Sequence, residues 1–233
     1  MGHAVMSAAP TRPGDLQTDP QLGLAFRTMW PAPATPRHLV ILLHGVGSHE
    51  VNMASLASGL PQDTLVLLVR GPLTLGPGQY AWFRVAFGAN GPSINATEAD
   101  QARLALIHFV QQVQLKHGIS PAHTVIAGFS QGGIMSASVA LSAPETVAGF
   151  GLLSGRILPE LAPHLASKAR LSSLKAFVGH GQHDSMLPVA WAQRSDAWLT
   201  ELGVAHELHL YAMDHGISPE IHADFLTWLD TLP

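Results

Sequence analysis

The chain has 233 residues, of which 47% are hydrophobic and only 12% are charged, enough apolar material for one large core covered on both faces. Twelve basic and sixteen acidic residues give a formal net charge of -4, and no cluster of Lys or Arg could neutralise a run of phosphates, so nucleic acid is not expected as a partner. The absence of cysteine excludes disulfides, thiolate metal ligands and a cysteine nucleophile.

The first 20 residues are rich in Ala, Pro and polar residues and lack the basic and apolar segments of a secretory signal. We expect residues 1–20 to form a flexible tail and residues 21–233 to form a single domain, since no repeat divides the chain. No apolar run approaches the roughly 18 residues that a membrane-spanning helix needs. The sequence therefore predicts a soluble protein without a membrane span, and a cytoplasmic location is the expectation.

Short apolar runs alternate with amphipathic ones from residue 37 onward, the pattern of a mostly parallel central sheet with helices on both faces. The predicted fold class is therefore α/β. Seven candidate strands are Leu22–Met29, His38–Leu43, Leu65–Val69, Thr124–Phe129, Gly149–Leu153, Ala176–Gly179 and Glu207–Tyr211. Most of them are continuously apolar, which indicates central positions in the sheet.

Four helices are predicted between and after these strands. The longest spans Glu98–His117, opens with Thr97 and Asp100 in capping-box spacing, and ends at Gly118. The others span Gly133–Leu141, run from Pro188 to Leu202 before Gly203, and begin at Pro219.

The connection between Arg70 and Thr97 contains eight Gly and Pro residues and is too long for an ordinary link between a strand and a helix. Long ordered connections often carry function. Trp82 and Phe83, in its middle, either anchor it on the core or line an apolar pocket for an acyl group, and anchoring is favoured for Trp82. The candidate substrate-binding residues are Leu73, Trp82, Phe83 and Leu187.

Residues 128–132 read Gly-Phe-Ser-Gln-Gly, a G-x-S-x-G pattern between a predicted strand and a predicted helix. In such a sharp turn the residues two before and two after the serine must be glycine, because a Cβ there would collide with the turning chain. The pentapeptide alone also arises in Gly/Ser-rich loops. The flanking strand and helix make Ser130 the predicted nucleophile.

A serine nucleophile needs a base within hydrogen-bond reach, and the base needs a carboxylate to fix its tautomer. Asp184, shortly after the predicted strand 176–179, is the predicted carboxylate. Its rivals are Asp196, inside a predicted helix, and Asp214, whose carboxylate cannot easily turn toward the ring of the next residue.

The predicted base is His215, in a short connection after the predicted strand 207–211. Its rivals are His206, which precedes this strand, His209 within it, and His222 in the following helix. Each of them is interpreted as a structural or surface residue. Ser130, Asp184 and His215 thus occur in the chain order serine, acid, histidine.

Acyl transfer also needs two backbone N–H groups aimed at the developing oxyanion. Gln131, directly after the serine, is predicted to supply one of them. The other is predicted to come from Val46, in the sequence His44-Gly45-Val46-Gly47 after an apolar strand. Taken alone, this segment is a tight turn with a buried histidine, but upstream of a serine turn the oxyanion interpretation is favoured.

Fourteen histidines raise the question of a metal site. His180 and His183 are the best candidate ligands, yet neither belongs to an H-E-x-x-H or H-x-H pattern with a third carboxylate ligand. We interpret them as loop histidines beside the predicted acid, and we expect no metal and no organic cofactor.

Seven motifs give the chain a resemblance to one family. They are 43–47 (LHGVG), 70–72 (RGP), 82–83 (WF), 128–133 (GFSQGG), 153–155 (LSG), 180–184 (HGQHD) and His215. Together they resemble the phospholipase/carboxylesterase family of α/β-hydrolases, which includes the acyl-protein thioesterases, over about residues 37 to 229. The resemblance implies an α/β-hydrolase fold, a triad of Ser130, Asp184 and His215, and an oxyanion hole from the amides of Val46 and Gln131.

Two residues depart from the family pattern: Ser48 stands where an acid is frequent, and Arg84 stands where an aspartate is frequent. Both are expected to border the substrate, which favours a bacterial-type carboxylesterase of small to medium acyl esters over a depalmitoylating enzyme. The predicted reaction is hydrolysis through an acyl-enzyme on Ser130.

Two alternatives stay open at this point. One is an acyl thioesterase or lysophospholipase that uses the same triad. The other is a catalytically silent α/β-hydrolase-fold protein that binds a hydrophobic ligand or a partner protein. Related enzymes often dimerise, so a homodimer is a further hypothesis, and acyl length depends on how residues 71–96 fold.

Overall fold

The computed structural model describes residues 11–88 and 91–233, built around one eight-stranded sheet. The strands are β1 (Arg12–Thr18), β2 (Ala25–Trp30), β3 (His38–Leu43), β4 (Thr64–Val69), β5 (Leu73–Gly76), β6 (Gln79–Ala81), β7 (Val85–Gly88), β8 (Gly91–Ile94), β9 (Thr124–Phe129), β10 (Gly149–Leu153), β11 (Lys175–Gly181) and β12 (Ala205–Tyr211). The α-helices are α1 (Ala96–His117), α2 (Gln131–Ser142), α3 (Lys168–Leu171), α4 (Ala190–Leu202) and α5 (Pro219–Leu229). Short 3-10 helices span Glu50–Ala57, Pro121–His123, Pro144–Thr146 and Pro159–His164.

The strands of the large sheet lie in the order β1-β2-β4-β3-β9-β10-β11-β12. All pairs from β4 to β12 are parallel, and β1 and β2 add an antiparallel edge. The predicted mostly parallel α/β sheet is confirmed. Because the parallel strands all run the same way, the segments after β3, β9, β10, β11 and β12 emerge at one edge, where open α/β sheets bind ligands.

Apolar side chains pack on both faces of this sheet. On one face α1, α2 and α4 cover alternate strand residues such as Ile41, and on the other the 3-10 helix 50–57 and α5 cover residues such as Leu42. This alternation explains why β3 and β4 read as continuous apolar runs. Within the described ranges, no helix is both long and apolar enough to cross a bilayer.

All seven predicted strands are present, with ends that differ by three residues at most. The helix predicted to open at Glu98 begins at Ala96, and its N-cap is Asn95, whose side chain accepts a hydrogen bond of 3.1 Å from the Glu98 amide. The predicted capping box at Thr97 and Asp100 is therefore wrong. Asn95 is the N-cap because its short side chain reaches the amide of Glu98, the third residue of the helix.

The expectation of a flexible tail over residues 1–20 is wrong for residues 12–18, which form β1 against β2. The Pro and Gly in this segment argue against a central strand, but β1 lies at the sheet edge, where both are tolerated. Residues 1–10 lie outside the described residues. The single domain, predicted to begin at residue 21, stays a prediction, and its sheet begins at Arg12.

The long connection predicted between Arg70 and Thr97 contains two hairpins. One pairs β5 with β6 and the other pairs β7 with β8, while residues 89 and 90 lie outside the described ranges. The first hairpin is joined to the segment after β3, since Tyr80 donates to the Ser48 carbonyl and Gly47 donates to the Tyr80 carbonyl, both at 2.8 Å. This hairpin therefore holds the turn after β3 in place.

A buried carboxylate holds the antiparallel edge to the parallel part of the sheet. Glu50 is fully buried and accepts hydrogen bonds from Arg27 at 2.7 Å and from two nitrogens of Arg70 at 2.7 and 2.8 Å. Arg27 also donates to the Gly14 carbonyl of β1 at 2.9 Å. Burial opposes ionisation of Glu50, but the bonds from Arg70 and Arg27 outweigh it and lower the pKa of Glu50 to about 2.

Glu50→Gln is expected to reduce the free energy of unfolding at pH 7 by about 2 to 4 kcal/mol, because it removes the charge that compensates two arginines. The value lies toward the low end for buried ion pairs, since the arginine side chains are 24% and 19% exposed. Urea unfolding followed by circular dichroism measures it. The pKa of Glu50 in the folded protein lies below its ordinary value of 4.5, so the ionised carboxylate stabilises the fold fully above pH 4.5 and progressively less toward pH 2. The difference in the free energy of unfolding between the parent protein and Glu50→Gln should therefore become smaller as the pH falls from 4.5 to 2.

The matched control is Glu145→Gln, which breaks the exposed pair with Arg170 and should change the free energy of unfolding by less than about 1 kcal/mol. Equal losses in the two variants would contradict the structural role assigned to Glu50.

Candidate active site

Ser130 lies in the sharp turn between β9 and α2. Its backbone has φ 53° and ψ −117°, a conformation that a residue with a side chain rarely adopts. The Ser130 amide donates to the Leu153 carbonyl of β10 at 2.8 Å, and its carbonyl accepts from the Ile134 amide of α2. The strained residue is thus held between sheet and helix, as in the strand-to-helix turn of serine hydrolases.

The glycines on either side of Ser130 are required by backbone contacts. A Cβ at Gly128 would lie 2.5 Å from the Gly132 carbonyl oxygen, and a Cβ at Gly132 would lie 2.7 Å from the His44 carbonyl oxygen. Both distances are too short for any side chain. The reason given from the sequence for glycine at these two positions agrees with this geometry.

The structure brings Ser130, Asp184 and His215 together. His215 Nε2 lies 3.1 Å from Ser130 Oγ, and His215 Nδ1 lies 2.7 Å from Asp184 Oδ2. The carboxylate can only accept, so Nδ1 carries the proton and Nε2 is free to accept from the serine hydroxyl. This is the tautomer that a general base requires.

The connections that follow β11 and β12 run side by side. Gln182 donates to the Tyr211 carbonyl and His183 donates to the Met213 carbonyl, so the two loops continue the pairing of the strands. A Cβ at Gly181 would collide with the Met213 backbone. The close approach places the carboxylate of one loop against the imidazole of the other.

Asp184 is oriented by its own loop. Its Oδ1 accepts from the amides of Met186 at 2.9 Å and Leu187 at 2.7 Å, which leaves Oδ2 for His215. The rival Asp214 instead accepts from the amides of Ser185 and His215. Its carboxylate ties the two loops together and does not approach the imidazole.

The rival carboxylate and histidines are engaged elsewhere. Asp196 lies 3.1 Å from His206 Nε2, at the start of β12. His209 contacts Glu207 at 3.0 Å and stacks on Phe177. His222 lies on α5. None of these groups contacts Ser130, in agreement with the choice made from the sequence.

His180 is fully buried beside the predicted acid. Its Nε2 lies 2.7 Å from the Leu187 carbonyl and 3.3 Å from Asp184 Oδ2, so Nε2 carries a proton that points between two acceptors. Burial lowers the pKa of His180 despite these two acceptors, which keeps the ring neutral. His183, by contrast, is exposed. Across residues 11–88 and 91–233, no three His, Asp or Glu side chains are grouped as metal ligands.

The turn after β3 lies beside Ser130. A Cβ at Gly45 would lie 3.3 Å from Ser130 Cβ, and Gly47 has φ +72°, which favours glycine. Val46 is 43% exposed, and both it and Gln131 line the cavity at Ser130. The two residues predicted to stabilise an oxyanion therefore flank the nucleophile.

Sequence reasoning missed the role of His44 in holding this turn. His44 is fully buried, its Nε2 accepts from the Gly71 amide at 2.9 Å, and its Nδ1 lies 2.7 Å from the Gly45 carbonyl. Because an amide can only donate, Nδ1 carries the proton and the ring is neutral. Burial lowers the pKa of His44 to about 4, in agreement with this tautomer. Its position directly after an apolar strand was the available signal.

The Gln131 side chain and Trp82 complete the support of the site. Gln131 Oε1 accepts from the Trp82 amide and Nε2 donates to the Phe83 carbonyl, both at 2.7 Å. The Trp82 indole N–H donates to the His44 carbonyl at 2.9 Å. The interpretation of Trp82 as an anchor of its loop therefore agrees with these contacts.

A cavity of about 220 Å³ opens at Ser130. Its described lining residues are mostly apolar: Gly45, Val46, Ser48, Phe83, Val85, Ile94, Phe129, Ser130, Gln131, Ile134, Arg156, Met186, Leu187 and His215. Phe83 and Leu187 line it as predicted. Leu73, in the β5–β6 hairpin, and Trp82, fully buried against His44, are not among its described lining residues, so the cavity does not support a substrate contact for either.

Three polar residues differ in their relation to the cavity. Ser48 lines it, as expected for a residue on the substrate side. Arg84 does not, because it forms an ion pair with Glu98 at 2.6 Å at the start of α1. Arg156, which the sequence analysis did not single out, does line the cavity. Its place three residues after β10 was the signal that could have found it.

Comparison with known proteins agrees with this geometry. The sequence profile of the phospholipase/carboxylesterase family matches residues 30–232. Acyl-protein thioesterase 1 of Emericella nidulans is 27% identical over 227 residues, covering 85% of this chain and 92% of that protein. A protein of Oryza sativa subsp. japonica named as a probable inactive carboxylesterase is 25% identical over 198 residues, covering 77% and 79%.

Among solved structures, the carboxylesterase of Mesorhizobium loti has a TM-score of 0.79 to this chain at 20% identity. The alignment covers 93% of this chain and 98% of that one. At this identity the likeness shows the fold, and the predicted α/β-hydrolase fold is confirmed.

Lowering the pH from 6.5 toward 4 is expected to reduce the free energy of unfolding by roughly 3 kcal/mol through His44 alone. The unfolded histidine takes up a proton near pH 6.5, whereas the folded one resists protonation until about pH 4, so the loss accumulates between these values. His180 contributes in the same direction. Urea unfolding at several pH values between 7 and 4 measures the effect.

His44→Gln removes the titrating ring, so its free energy of unfolding should depend less on pH across this window. The control is His183→Gln, which removes an exposed histidine and should keep the full dependence. The same pH slope in both variants would rule out the assignment to His44.

Proposed function

Because the chain belongs to the phospholipase/carboxylesterase family, we propose that it is a serine carboxylesterase with Ser130 as its nucleophile. The observation that carries this proposal is the hydrogen-bonded chain from Asp184 through His215 to Ser130, which ends at a cavity. The family is one of ester and thioester hydrolases, and this arrangement supplies the nucleophile, base and orienting carboxylate that such chemistry needs.

In the proposed first half-reaction, His215 Nε2 takes the proton of Ser130 as Oγ attacks the ester carbonyl carbon. The negative charge that forms on the carbonyl oxygen is stabilised by the amides of Val46 and Gln131. The intermediate then collapses, the bond to the alcohol oxygen breaks, and His215 returns the proton to that oxygen. An acyl-enzyme on Ser130 and a free alcohol result.

In the second half-reaction, His215 takes a proton from water, and the hydroxide oxygen attacks the acyl carbon. Collapse breaks the bond to Ser130 Oγ, which receives the proton back from His215, and the carboxylic acid leaves. Asp184 keeps Nδ1 protonated throughout and stabilises the imidazolium of each step. The mechanism requires no metal or organic cofactor.

The size of the cavity favours small to medium acyl groups. Its volume of about 220 Å³ is below the roughly 300 to 1,000 Å³ of pockets that enclose drug-sized ligands. Phe83, Ile134 and Leu187 offer an apolar surface for the acyl chain.

A cytoplasmic location and a homodimer remain predictions.

A thioesterase is the second candidate, since the Emericella nidulans relative is named acyl-protein thioesterase 1. Both reactions use the same residues and differ in the leaving group, so rates on matched butyryl esters and thioesters separate them. A catalytically silent protein is the remaining alternative, because the rice relative is named as a probable inactive carboxylesterase. Against it stands the continuous hydrogen-bonded chain described above.

Ser130→Ala is expected to lower kcat for 4-nitrophenyl acetate on the order of a millionfold. It removes the nucleophile, and the three triad residues act as one catalytic unit. Asp184→Asn should lower kcat roughly ten-thousandfold, since the amide favours the wrong tautomer of His215. Steady-state hydrolysis measures both, and a fluorophosphonate probe followed by peptide mass spectrometry identifies the labelled residue.

Ser172→Ala is the control, because Ser172 is exposed at the end of α3 and does not line the cavity. It should retain activity and labelling at Ser130. A folded parent protein that neither hydrolyses the ester nor reacts with the probe would support the silent alternative and overturn the proposal.

A further inference from the structure

Arg156 is a charged residue inside the cavity at Ser130. It follows β10, whose end lies between those of β9 and β11, and it is only 7% exposed. Among the described lining residues, Arg156 is the only one with a permanent charge, and the rest of the surface is mostly apolar. A buried cation in the cavity that opens at Ser130 needs a reason, because Arg is almost never fully buried without a partner.

No protein anion contacts this guanidinium within the described residues. Arg156 makes neither an ion pair nor a hydrogen bond there, and its one close partner is the ring of Trp191, 4.4 Å from the guanidinium carbon. Burial lowers the pKa of Arg156, and the charge of Glu160 opposes this effect only through space. Five N–H donors are thus left for a partner that is not part of this chain.

The contrast with Glu50 shows that the fold does compensate buried charge elsewhere. Glu50 is met by two arginines with three short hydrogen bonds. An uncompensated buried charge destabilises a protein, so it is retained where a ligand supplies the opposite charge. For Arg156 the ligand that fills the cavity is the substrate.

The chemistry of the site selects a carboxylate. A guanidinium binds a carboxylate through two parallel N–H···O bonds, and one cation neutralises one negative charge. A phosphate monoester carries about 1.5 to 2 negative charges at pH 7, which a single arginine in an apolar cavity would leave partly uncompensated. Trp191 holds the side chain by a cation–π contact and leaves the N–H edges free.

Resting on the proposed esterase function, we propose that Arg156 is a specificity-determining residue that binds a carboxylate on the substrate. The preferred substrates are then half-esters, in which one carboxyl group is esterified and attacked by Ser130 and the other is ionised and bound by Arg156. The apolar wall formed by Phe83, Ile134 and Leu187 contacts the methylene chain between them.

The test compares esters that share a leaving group and chain length and differ in charge. Mono-4-nitrophenyl glutarate and adipate are compared with 4-nitrophenyl pentanoate and hexanoate, and Ser130→Ala supplies the background. Arg156→Met is expected to lower kcat/KM for the half-esters roughly 10- to 100-fold, the range of a hydrogen bond to a charged group. The loss should lie mainly in KM, because Arg156 would bind a carboxylate that does not react, a contact made equally in the ground state and in the transition state.

For the neutral esters Arg156→Met should change kcat/KM by less than about threefold. Arg156→Lys keeps the charge but loses the paired donors, so it should recover only part of the half-ester activity. The matched control is Arg194→Met, which removes the other guanidinium over Trp191, 4.8 Å from the ring, without touching the cavity. It should leave both classes of ester unchanged.

Equal losses on charged and neutral esters in Arg156→Met would overturn the proposal and leave the esterase function standing. A binding measurement covers the case in which no ester is hydrolysed. Calorimetric titration of Ser130→Ala should show tighter binding of pentanoate than of pentanamide, and the difference should vanish in Ser130→Ala/Arg156→Met. Equal binding of the two compounds would refute the carboxylate site whatever the activity.

Discussion

The close contact between the start of α2 and the end of β3 is the constraint on which the rest of the site depends. Gly132 packs directly on the backbone of Leu43 and His44, with no room for a side chain. This contact forces the chain through the strained turn at Ser130 and at the same time sets the turn at Gly45 against the serine. Strain of about 1 to 3 kcal/mol persists there because α2 is buried along almost its whole length.

A network of buried polar contacts extends this constraint to parts of the chain that are far apart in sequence. Gln131 holds residues 82–83, Trp82 holds the His44 carbonyl, and His44 bridges the backbone at Gly45 and Gly71. Every member is satisfied, so the network stabilises one arrangement, whereas loss of any single member would leave a buried group without a partner. The neutrality of His44 is part of this arrangement, since a second ring proton would face the Gly71 amide.

The sequence predicted the central sheet well because its strands carry their own signals. Strand β10 is apolar throughout, β3 and β9 are apolar after their first residue, and buried parallel strands favour that composition. The sequence pattern did not predict β1, because its residues have low strand propensity. They pair because β2 has a free edge. β1 is held by its backbone pairing with β2, by Arg27 and by the hydrogen bond from Gln17 to Thr28, and these contacts leave no hydrophobic pattern in the segment itself.

The same distinction separates the site residues that could be predicted from those that could not. Ser130, Asp184 and His215 follow strands, and their chemistry demands particular residue types in a particular order. The pocket residues have no such requirement: Trp82 and Phe83 are adjacent, yet only Phe83 reaches the cavity, because Trp82 turns toward His44. Which of two neighbours faces a ligand depends on tertiary contacts across more than 30 residues of chain.

The buried charges of the molecule show how stability and function divide between them. The charge of Glu50 is matched within the protein by Arg27 and Arg70, and it joins the edge of the sheet to its centre. The carboxylate of Asp184 accepts hydrogen bonds from two backbone amides and from His215, and it orients the His215 ring. Arg156 contacts no anion of the described residues and lines the cavity at Ser130. A charge that folding leaves uncompensated gains its partner only on binding, so its contribution appears as selectivity between ligands and not as stability of the free protein.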